Sequence, residues 1–527
     1  MKRKFHLTIT ETILLGIAVL FFLSYLYINI FGFDMYATAD VYADTLYAIE
    51  AWESKSIFPE GWVFGNQFYV VATPVFCALL YGITGNINLS MIIATLIMTV
   101  LLIASLIWML LPFTNRTQQI ASAALMLGGI TTCGITLSLE GQLLFVLASY
   151  YSCYLITLFI TIGDYLRALH HPQRNYYSPM TILCCLLLLA TGMQSIRQTV
   201  ILIAPLCALE VLRLGAHWWQ HRKFSRDTLL ITCRVALYSV SNFLGLIIIR
   251  LLNIDSISIY GDSLFRTSGW AQAHQANLRI LGKITGFYYA FTEANGWMYF
   301  IPALIFCSMI LYTFGKGTYH FLKSKKAQPL FTVQVFFIIG LLILFVANLV
   351  LQIEFRTPYM FTWYGLLTVS VASLFNNFKT APVRLLTVIL TVGFTLNWWV
   401  SCKPMIAEIR ETDTNSEYKM IAEYLSEKDI EYIYGDWFTS ATRIALLSNG
   451  KLKACSYHEN VFQILPYINP QQYYGEDENR NAVYIFRKNE ESAALLFADQ
   501  KGVTMTKMAE FPHHTLYTSE KPLMYHK

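Results

Sequence analysis

The polar segment that follows the first apolar run opens with carboxylates. It reads FDMYATADVYADTLYAIEAWESKSIFPEGW and places Asp34, Asp40 and Asp44 within a few helical turns of one another. A carboxylate held at a membrane face and partly removed from water can act as a general base on a hydroxyl. Alternatively, the aspartates belong to the start of a short helix, where Asp40 or Thr38 is suited to the cap position. The spacing alone leaves both roles open.

Two arginines lie in tight turns between apolar segments. Arg197, in TGMQSIRQTV, follows Gln194, and Arg356, in QIEFRTPYMF, lies between Glu354 and Tyr359. Arginine near a membrane span is costly and is usually paired or functional, and its planar fork suits a phosphate. The alternatives are that Arg197 reaches out to lipid headgroups and that Arg356 pairs with Glu354. The candidate phosphate-binding residues are therefore Gln194, Arg197, Arg356 and Tyr359.

The amino-acid composition indicates that these residues belong to a membrane protein. Of the 527 residues, 55% are hydrophobic and 13% are charged, and the mean hydropathy is +0.46. A typical soluble domain is about 25% charged, so most of this chain must face lipid or be buried. A soluble enzyme, a disordered chain, a collagen and a coiled coil are excluded. The net charge of +5 comes without the basic cluster of a nucleic-acid-binding protein.

Hydropathy predicts eleven membrane spans, because about 20 apolar residues are enough to cross the hydrocarbon core. One further apolar segment, 68–83, has 16 residues and contains Pro74, so its length leaves open whether it crosses. Arg234 and Arg250 lie near opposite ends of one span, where arginines commonly reach out to the headgroups. The predicted spans cover residues 12–32, 88–112, 118–138, 142–163, 179–192, 198–213, 227–253, 297–314, 330–351, 360–376 and 384–401.

The distribution of positive charge indicates the topology. With a cytoplasmic amino terminus and no crossing at 68–83, sixteen Lys and Arg residues fall inside and six fall in the outer loops. With a crossing there, the inside total is eight and the outside total is fourteen. Positive charge is enriched in cytoplasmic loops, so we expect 68–83 to lie at the outer face. The acidic loop 33–87, both arginine turns and the carboxyl terminus are then extracytoplasmic.

The carboxyl-terminal region, residues 403–527, differs sharply from the rest of the chain. It carries charges throughout and contains no predicted span. Strand and helix patterns alternate along it, which is typical of a small α/β domain. The predicted elements are a helix after Asn415, strands at 430–434, 451–457 and 482–486, helices at 439–447 and 491–498, and a strand pair within 503–517.

The sequence therefore predicts an α-helical polytopic membrane protein with about 11 transmembrane helices and outer juxtamembrane helices. Residues 1–402 form the transmembrane domain, which includes the outer loop 33–87, and residues 403–527 form a soluble α/β domain.

This layout resembles that of the type-C (GT-C) membrane glycosyltransferases, such as the bacterial aminoarabinose transferases and the protein mannosyltransferases. The matching stretch runs from Asp40 to Trp52, then through Pro59 to ATPVFCALLYGITGN at 72–86. The many spans, the arginine turn at 356–359 and the outer carboxyl-terminal domain extend the resemblance to nearly the whole chain.

The resemblance also implies an activity. A sugar would pass, with inversion, from a polyprenyl-phosphate-linked donor to a glycan, lipid or protein acceptor in the envelope, at the outer face of the plasma membrane. Asp40 or Asp44 would be the catalytic base, and the distance to Pro59 favours Asp40. Arg197 and Arg356 would stabilise the charge that develops on the departing phosphate. No nucleotide or nucleic acid is expected as a partner. No spacing of potential ligand residues indicates a metal site, and the sequence neither predicts nor excludes a requirement for a divalent ion.

Three other functions fit parts of the sequence. A transporter or lipid flippase commonly shows internal repeats and paired broken helices; the sequence has no repeat, although the two short spans around Arg197 fit that class. A polymerase or ligase of envelope glycans would differ in its acceptor. A non-enzymatic assembly protein would use the soluble domain to recruit a partner.

Overall fold

The computed structural model describes residues 7–132, 139–170, 178–256, 269–324, 326–352, 357–375, 380–411, 416–436, 440–458, 462–464 and 482–524. The chain divides into two compact units. Unit 1 comprises Met1–Tyr27, Met98–Leu251 and Asp262–Ala407, and unit 2 comprises Ile28–Ile97, Leu252–Gly261 and Glu408–Lys527.

Helices dominate the described chain up to residue 411. A π-helical segment, Thr199–Ile203, leads directly into α10, and a short 3-10 turn, Thr357–Met360, precedes α16. The helices are α1 (Ile9–Phe31), α2 (Phe33–Tyr36), α3 (Ala39–Ser54), α4 (Thr73–Thr84), α5 (Ile87–Leu110), α6 (Arg116–Thr131), α7 (Leu139–Ala148), α8 (Ser152–His170), α9 (Pro179–Gln194), α10 (Ala204–His221), α11 (Arg226–Leu251), α12 (Trp270–Thr285), α13 (Phe287–Thr292), α14 (Trp297–Ser324), α15 (Pro329–Leu351), α16 (Thr362–Phe375) and α17 (Thr380–Glu411).

Eight helices among the described residues are long and apolar enough to cross a membrane, namely α1, α5, α8, α10 with its π-helical segment, α11, α14, α15 and α17. Three further predicted spans contain the shorter helices α6, α9 and α16, which have 16, 16 and 14 residues. The prediction of a polytopic helical membrane protein is therefore confirmed. Helix α4 has 12 residues, fewer than the roughly 20 that a crossing needs, which agrees with the absence of a crossing at 68–83; the location of this segment at the outer face stays a prediction.

The predicted span 142–163 is wrong in one respect, because the chain breaks between α7 and α8. Ser149 has a φ of 46°, in the left-handed region that ends a helix. Its hydroxyl lies 2.8 Å from the Thr99 hydroxyl and accepts a hydrogen bond from Ser152 at 3.1 Å. These side-chain bonds hold polar groups of the break inside an apolar environment, where they would otherwise be unsatisfied. Hydropathy averaged over a whole span did not detect this break, because strongly apolar residues flank the short segment 149–152 on both sides.

Unit 1 contains a buried ion pair that the sequence does not predict. Asp164 of α8 accepts hydrogen bonds from Arg234 of α11 and from Thr181 of α9, each at 2.9 Å, and from the Tyr238 hydroxyl. Arg234 was expected to reach the headgroups, but its side chain is buried and paired. The reason is a carboxylate 70 positions earlier, which offers the arginine a better partner than the distant interface.

A second buried carboxylate lies on the same group of helices. Glu210 of α10 accepts hydrogen bonds from Tyr165 at 3.0 Å, from Arg213 at 2.8 Å and from Thr232 at 2.6 Å. The two networks fasten α8, α9, α10 and α11 to one another through charged groups that have several partners each. Such fully satisfied networks are the form in which charge is tolerated inside a bundle.

Unit 2 is built on a six-stranded sheet with strand order β3-β2-β1-β4-β6-β5. Strand β1 pairs in parallel with β2 and β4, whereas the β2–β3, β4–β6 and β5–β6 pairs are antiparallel. The predicted carboxyl-terminal α/β fold is confirmed, and the boundaries of the predicted elements shift by at most about two residues. The elements are α18 (Ser416–Ser426), β1 (Tyr432–Asp436), α19 (Ala441–Leu447), β2 (Lys453–His458), β3 (Gln463–Ile464), β4 (Ala482–Arg487), α20 (Glu491–Gln500), β5 (Met505–Glu510) and β6 (His514–Ser519).

Unit 2 also includes most of the predicted outer loop, as helices α2, α3 and α4. Pro74 stands in the first turn of α4, where its missing N–H costs nothing, and Gly85 ends the helix with a φ of 63°. Helix α3 packs against α4 and also against α19 of the carboxyl-terminal region. The acidic loop and the sheet domain are therefore parts of one compact unit.

Candidate active-site elements

The two candidate catalytic aspartates lie on one face of α3. Asp40 is in the first turn, where the helix dipole favours a negative charge, and Asp44 follows one turn later. Thr38 occupies the N-cap position, but its side chain makes no capping hydrogen bond. Capping by Thr38 therefore does not explain the polar residues at this helix start.

Asp40 and Asp44 differ in their access to solvent. Asp40 is half-buried, whereas Asp44 is 1% exposed. Neither carboxylate oxygen of Asp44 has a hydrogen-bond partner of standard geometry within the described part of the chain. Burial is the main cause that raises the pKa of Asp44 well above its ordinary range; the Tyr69 hydroxyl opposes this rise, and the negative charge of Asp40 adds to it.

An aromatic cluster encloses this part of α3. The Tyr47 ring lies 4.6 Å from the ring of Tyr69, 5.6 Å from that of Trp62 and 5.9 Å from that of Phe64, measured between centroids. The Tyr47 hydroxyl donates to the backbone oxygen of Ile57 at 2.9 Å, so the connection between α3 and α4 is fixed to the helix. Tyr47 and Tyr69 of this cluster both interact with Asp44, whose burial is the main cause of its raised pKa.

The carboxyl-terminal domain fixes the beginning of this acidic segment. Arg443 of α19 donates to the backbone oxygen of Met35 at 2.9 Å, and the Tyr36 hydroxyl donates to Glu408 at 2.6 Å. The partners are separated by about 400 positions in the sequence, so no local pattern could reveal them. The start of α3 is thus positioned by contacts within unit 2.

In unit 1, Arg197 stands between α9 and α10 in an irregular segment. Ser195 is extended after the end of α9, and its hydroxyl accepts a hydrogen bond from the backbone N–H of Arg197 at 3.2 Å. The π-helical segment begins two residues after Arg197, and Thr199 donates to Asn242 at 2.6 Å. Single π-helical turns inside a helix occur frequently at functional sites. The extended Ser195 and the π-helical segment lie on either side of Arg197 and together determine the position of its backbone.

The structure brings Arg197 together with two of the other predicted residues. Its guanidinium carbon lies 5.4 Å from the ring centroid of Tyr359, and its side chain and that of Gln194 both interact with the Tyr154 hydroxyl. Arg356 lies outside the described residues. Sequence analysis missed Tyr154 and also Tyr151, whose ring centroid is 5.9 Å from the Arg197 guanidinium. The break after α7 places both tyrosines here, and the tyrosine-rich segment SYYSCY was the available signal.

Gln198 is a further residue that the sequence did not single out. It is fully buried, and both atoms of its side-chain amide are without a hydrogen-bond partner among the described residues. A buried amide without partners is costly and is commonly explained by a function or by a bound group. At Arg197 the chain thus offers a cation and three tyrosines, and the next residue, Gln198, carries an amide without a partner among the described residues; these are groups that can bind a phosphate ester.

The described ranges contain no group of three His, Cys, Asp or Glu side chains at metal-binding distances.

Comparison of the fold with solved structures identifies its class. Neither a protein-family model nor a curated protein sequence matches the chain. The fold matches that of two solved ArnT structures, so the chain has a GT-C-like fold.

The individual matches include ArnT from Cupriavidus metallidurans. Bound to undecaprenyl phosphate, ArnT matches with a TM-score of 0.58 at 10% identity, over 96% of this chain and 98% of its own. In the apo state it matches with a TM-score of 0.51 at 10% identity, over 90% and 93%. An oligosaccharyltransferase from Archaeoglobus fulgidus, in complex with zinc and sulfate, has a TM-score of 0.49 at 12% identity, over 96% and 72%.

Proposed function

We propose that this protein is a membrane glycosyltransferase that transfers a sugar from a polyprenyl-phosphate-linked donor to an acceptor of the cell envelope, at the outer face of the plasma membrane. The fold shared with ArnT along nearly the whole chain is the observation that carries the proposal, together with the undecaprenyl phosphate bound in that ArnT structure. The acidic face of α3 supports the proposal with a candidate general base, and the turn at Arg197 supports it with a candidate phosphate ligand.

Asp40 is the proposed general base. A base must come within about 3 Å of the hydroxyl that it deprotonates, and Asp40 is half-buried whereas Asp44 is enclosed. In the reaction, Asp40 takes the proton of the acceptor hydroxyl while the acceptor oxygen attacks the anomeric carbon. The bond from that carbon to the phosphate oxygen breaks, and its electron pair leaves with the polyprenyl phosphate. Attack from the side opposite the leaving group inverts the anomeric carbon.

Asp44 is the proposed supporting carboxylate of the same helix face. It stands one turn from Asp40, and its charge is disfavoured by burial. The negative charge of Asp40 adds to the rise in the pKa of Asp44, so the two carboxyl groups are electrostatically coupled.

Arg197 is the proposed ligand of the donor phosphate, with Gln194, Tyr359 and Arg356 as the further members of the set. The observed support is the enclosure of the Arg197 guanidinium by Tyr151, Tyr154 and Tyr359. Removing water around a cation strengthens its attraction for the charge that develops on the leaving phosphate.

The test of the proposed base is Asp40→Asn. We expect sugar transfer to fall by about 10²- to 10⁴-fold, with unchanged expression and membrane insertion, as is typical for the loss of a general base. Glu53→Gln is the matched control, because Glu53 is exposed on the same helix three turns away. The measurement is the modification of envelope glycans together with the amount of lipid-linked sugar. Full activity of Asp40→Asn would contradict the assignment, and a precursor trapped inside the cell would favour a flippase instead.

The test of the phosphate ligand is the pair Arg197→Lys and Arg197→Ala. Lysine keeps the charge but loses the planar fork, so we expect an intermediate rate for Arg197→Lys and a loss of about 10²- to 10³-fold for Arg197→Ala. Equal rates of all three proteins with a lipid-linked donor would contradict a role in phosphate binding.

The proposed topology has a cytoplasmic amino terminus and an extracytoplasmic carboxyl-terminal domain. Single cysteines placed at Lys55 and Lys223 in a cysteine-free background should be labelled by a membrane-impermeant reagent from opposite sides. Labelling of both positions from the same side would overturn this topology.

A further inference from the structure

A polar crevice lies in unit 1 where α14 and α15 meet, and its described lining residues are different from those of the proposed reaction. Its volume is about 460 Å³, including the part that is open to the surroundings. Polar side chains of α14, of α15 and of the residues around them form much of its wall, and Tyr312 and Phe331 supply apolar surface. The polar lining residues are Thr313, Lys316, His320, Gln328, Gln334 and Ser373.

Gln334 gives this crevice a fixed hydrogen-bond acceptor. The residue is 1% exposed, and its amide nitrogen donates to the Thr313 hydroxyl at 2.7 Å and to the Ser370 hydroxyl at 2.9 Å. Both hydroxyls already donate their own hydrogens to backbone oxygens, at 2.8 Å and 2.7 Å, so they can only accept from Gln334. This arrangement determines which amide atom is nitrogen and which is oxygen.

The side-chain oxygen of Gln334 is therefore held in one direction by two hydrogen bonds on the nitrogen. Within the described part of the chain, this oxygen has no hydrogen-bond partner. A buried acceptor without a donor is unfavourable, and native proteins usually satisfy it with water, a ligand or another chain. A group that binds in the crevice should accordingly bring a donor, such as a hydroxyl.

Lys316 gives the wall of the crevice a positive charge, and the nearby His320 ring can supply a hydrogen-bond donor. Lys316 and His320 lie one helical turn apart on α14, and Lys323 and Lys326 follow in the same basic stretch. The described lining includes no carboxylate. The crevice therefore combines a cationic entrance with a buried acceptor, which together fit an anion that also carries a hydroxyl.

The length of α14 places the entrance at the depth of lipid headgroups. The helix has 28 residues, or about 42 Å at roughly 1.5 Å per residue, and so exceeds a hydrocarbon core of about 30 Å. It begins at Trp297, a residue type enriched at the interface, and Lys316 follows 19 residues later, about 28 Å away. Lys316 and His320 therefore lie near the opposite interface.

We propose that this crevice binds the headgroup of an anionic phospholipid that carries a free hydroxyl, such as phosphatidylglycerol. Lys316 and His320 bind the phosphate diester, and the headgroup hydroxyl donates to the side-chain oxygen of Gln334. Tyr312 and Phe331 contact the first carbons of the lipid. Phosphatidylethanolamine also brings a donor, but its ammonium group meets a cationic entrance and is disfavoured.

The experiment uses the full-length protein, purified in dodecyl maltoside and freed of native lipid, with binding followed by the rise in the thermal unfolding temperature. The lipids are phosphatidylglycerol, phosphatidylethanolamine, phosphatidylcholine and phosphatidylmethanol, the last being an equally charged diester without a headgroup hydroxyl. We expect phosphatidylglycerol to bind most tightly, and phosphatidylmethanol about fivefold to tenfold more weakly. Equal affinities of these two lipids would overturn the contact to Gln334. Displacement of the lipid by millimolar inorganic phosphate would overturn the assignment to a lipid headgroup.

Two variants separate this site from general surface charge. Lys316→Gln should weaken phosphatidylglycerol binding about tenfold, whereas Lys323→Gln, two turns further along α14 and outside the lining, should change it less than about twofold. Equal weakening by both substitutions would contradict a defined site.

Gln334→Met should abolish the preference for phosphatidylglycerol over phosphatidylmethanol. If Gln334→Met fails to fold, the Lys316→Gln and Lys323→Gln pair still decides the outcome.

Discussion

Asp44 and Asp164 are almost equally hidden from solvent, with 1% and 2% exposure, but their surroundings are opposite. Asp164 pairs with Arg234 at 2.9 Å and also accepts hydrogen bonds from Thr181 and Tyr238. Neither oxygen of Asp44 has a partner of standard geometry among the described residues. The like charge of Asp40 further raises the pKa of Asp44.

The difference shows that burial alone does not define the role of a carboxylate. Asp164 has the partners that make a buried charge tolerable, so its role is to connect α8, α9 and α11. Asp44 lacks such partners, so its ionised form is unfavourable in this buried position, one helical turn from the half-buried Asp40. Carboxylates with strongly perturbed proton affinity occur preferentially at functional sites, which makes the acidic face of α3 the stronger candidate for chemistry.

The largest effect on stability is expected from Arg234→Met. It leaves Asp164 buried without a cation, which typically costs about 3–5 kcal/mol. The measurement is the unfolding of the purified protein in mixed micelles. Arg250→Met is the matched control, because Arg250 is exposed on the same helix and should change stability little. The double variant Asp164→Leu/Arg234→Met should recover most of the loss; if it is as unstable as Arg234→Met, the ion pair is not the cause.

A smaller, pH-dependent effect is expected from Asp44→Asn. Burial raises the pKa of Asp44 in the folded protein, so the folded state binds this proton more tightly than the unfolded state. The contribution of Asp44 to stability is therefore complete below the unfolded pKa of about 3.9 and is lost as the pH rises to the folded value. Asparagine does not titrate.

The measurement is the difference in unfolding temperature between the wild type and Asp44→Asn from pH 4 to pH 8. The wild type should lose stability relative to the variant as the pH rises, by about 1.4 kcal/mol for each unit of pKa difference. Groups that titrate elsewhere cancel in this difference. A pH-independent difference would show that the proton affinity of Asp44 is unperturbed.

The smallest effects are expected from the two neighbours that tune Asp44. Tyr69→Phe removes a hydroxyl that favours the charged form and should move the loss of stability to higher pH. Asp40→Asn removes a like charge and should move the loss of stability to lower pH. Each shift should correspond to about 1 kcal/mol or less. Shifts in the same direction for both variants would contradict the described surroundings of Asp44.

Much of the fold was predictable because its signals are local. Membrane spans are recognised from continuous apolar runs, and the strands and helices of the carboxyl-terminal domain follow from residue spacing and turn residues. Helix α4 (Thr73–Thr84), with Pro74 in its first turn and Gly85 as its C-cap, is a further example. The break at Ser149 was not predictable, since hydroxyl groups from two helices stabilise it and apolar residues surround it.

The candidate site was predictable in its residue types but not in its surroundings. Sequence analysis selected Asp40, Asp44, Gln194, Arg197, Tyr359 and Arg356, the last of which lies outside the described residues. It did not select Tyr151 or Tyr154, which surround Arg197, because the predicted span 142–163 placed them inside a continuous helix. It also could not distinguish Asp40 from Asp44, because residues one turn apart on a helix share the same local pattern.

The sequence by itself determined that this protein is a polytopic helical membrane protein with a small α/β domain at its carboxyl end, because hydropathy and periodicity are properties of neighbouring residues. Only the tertiary structure decided which charges are paired, which carboxylate is enclosed, and that the acidic loop packs with the carboxyl-terminal domain. These features depend on contacts between residues tens to hundreds of positions apart, and the free energy of a buried charge is set by those contacts.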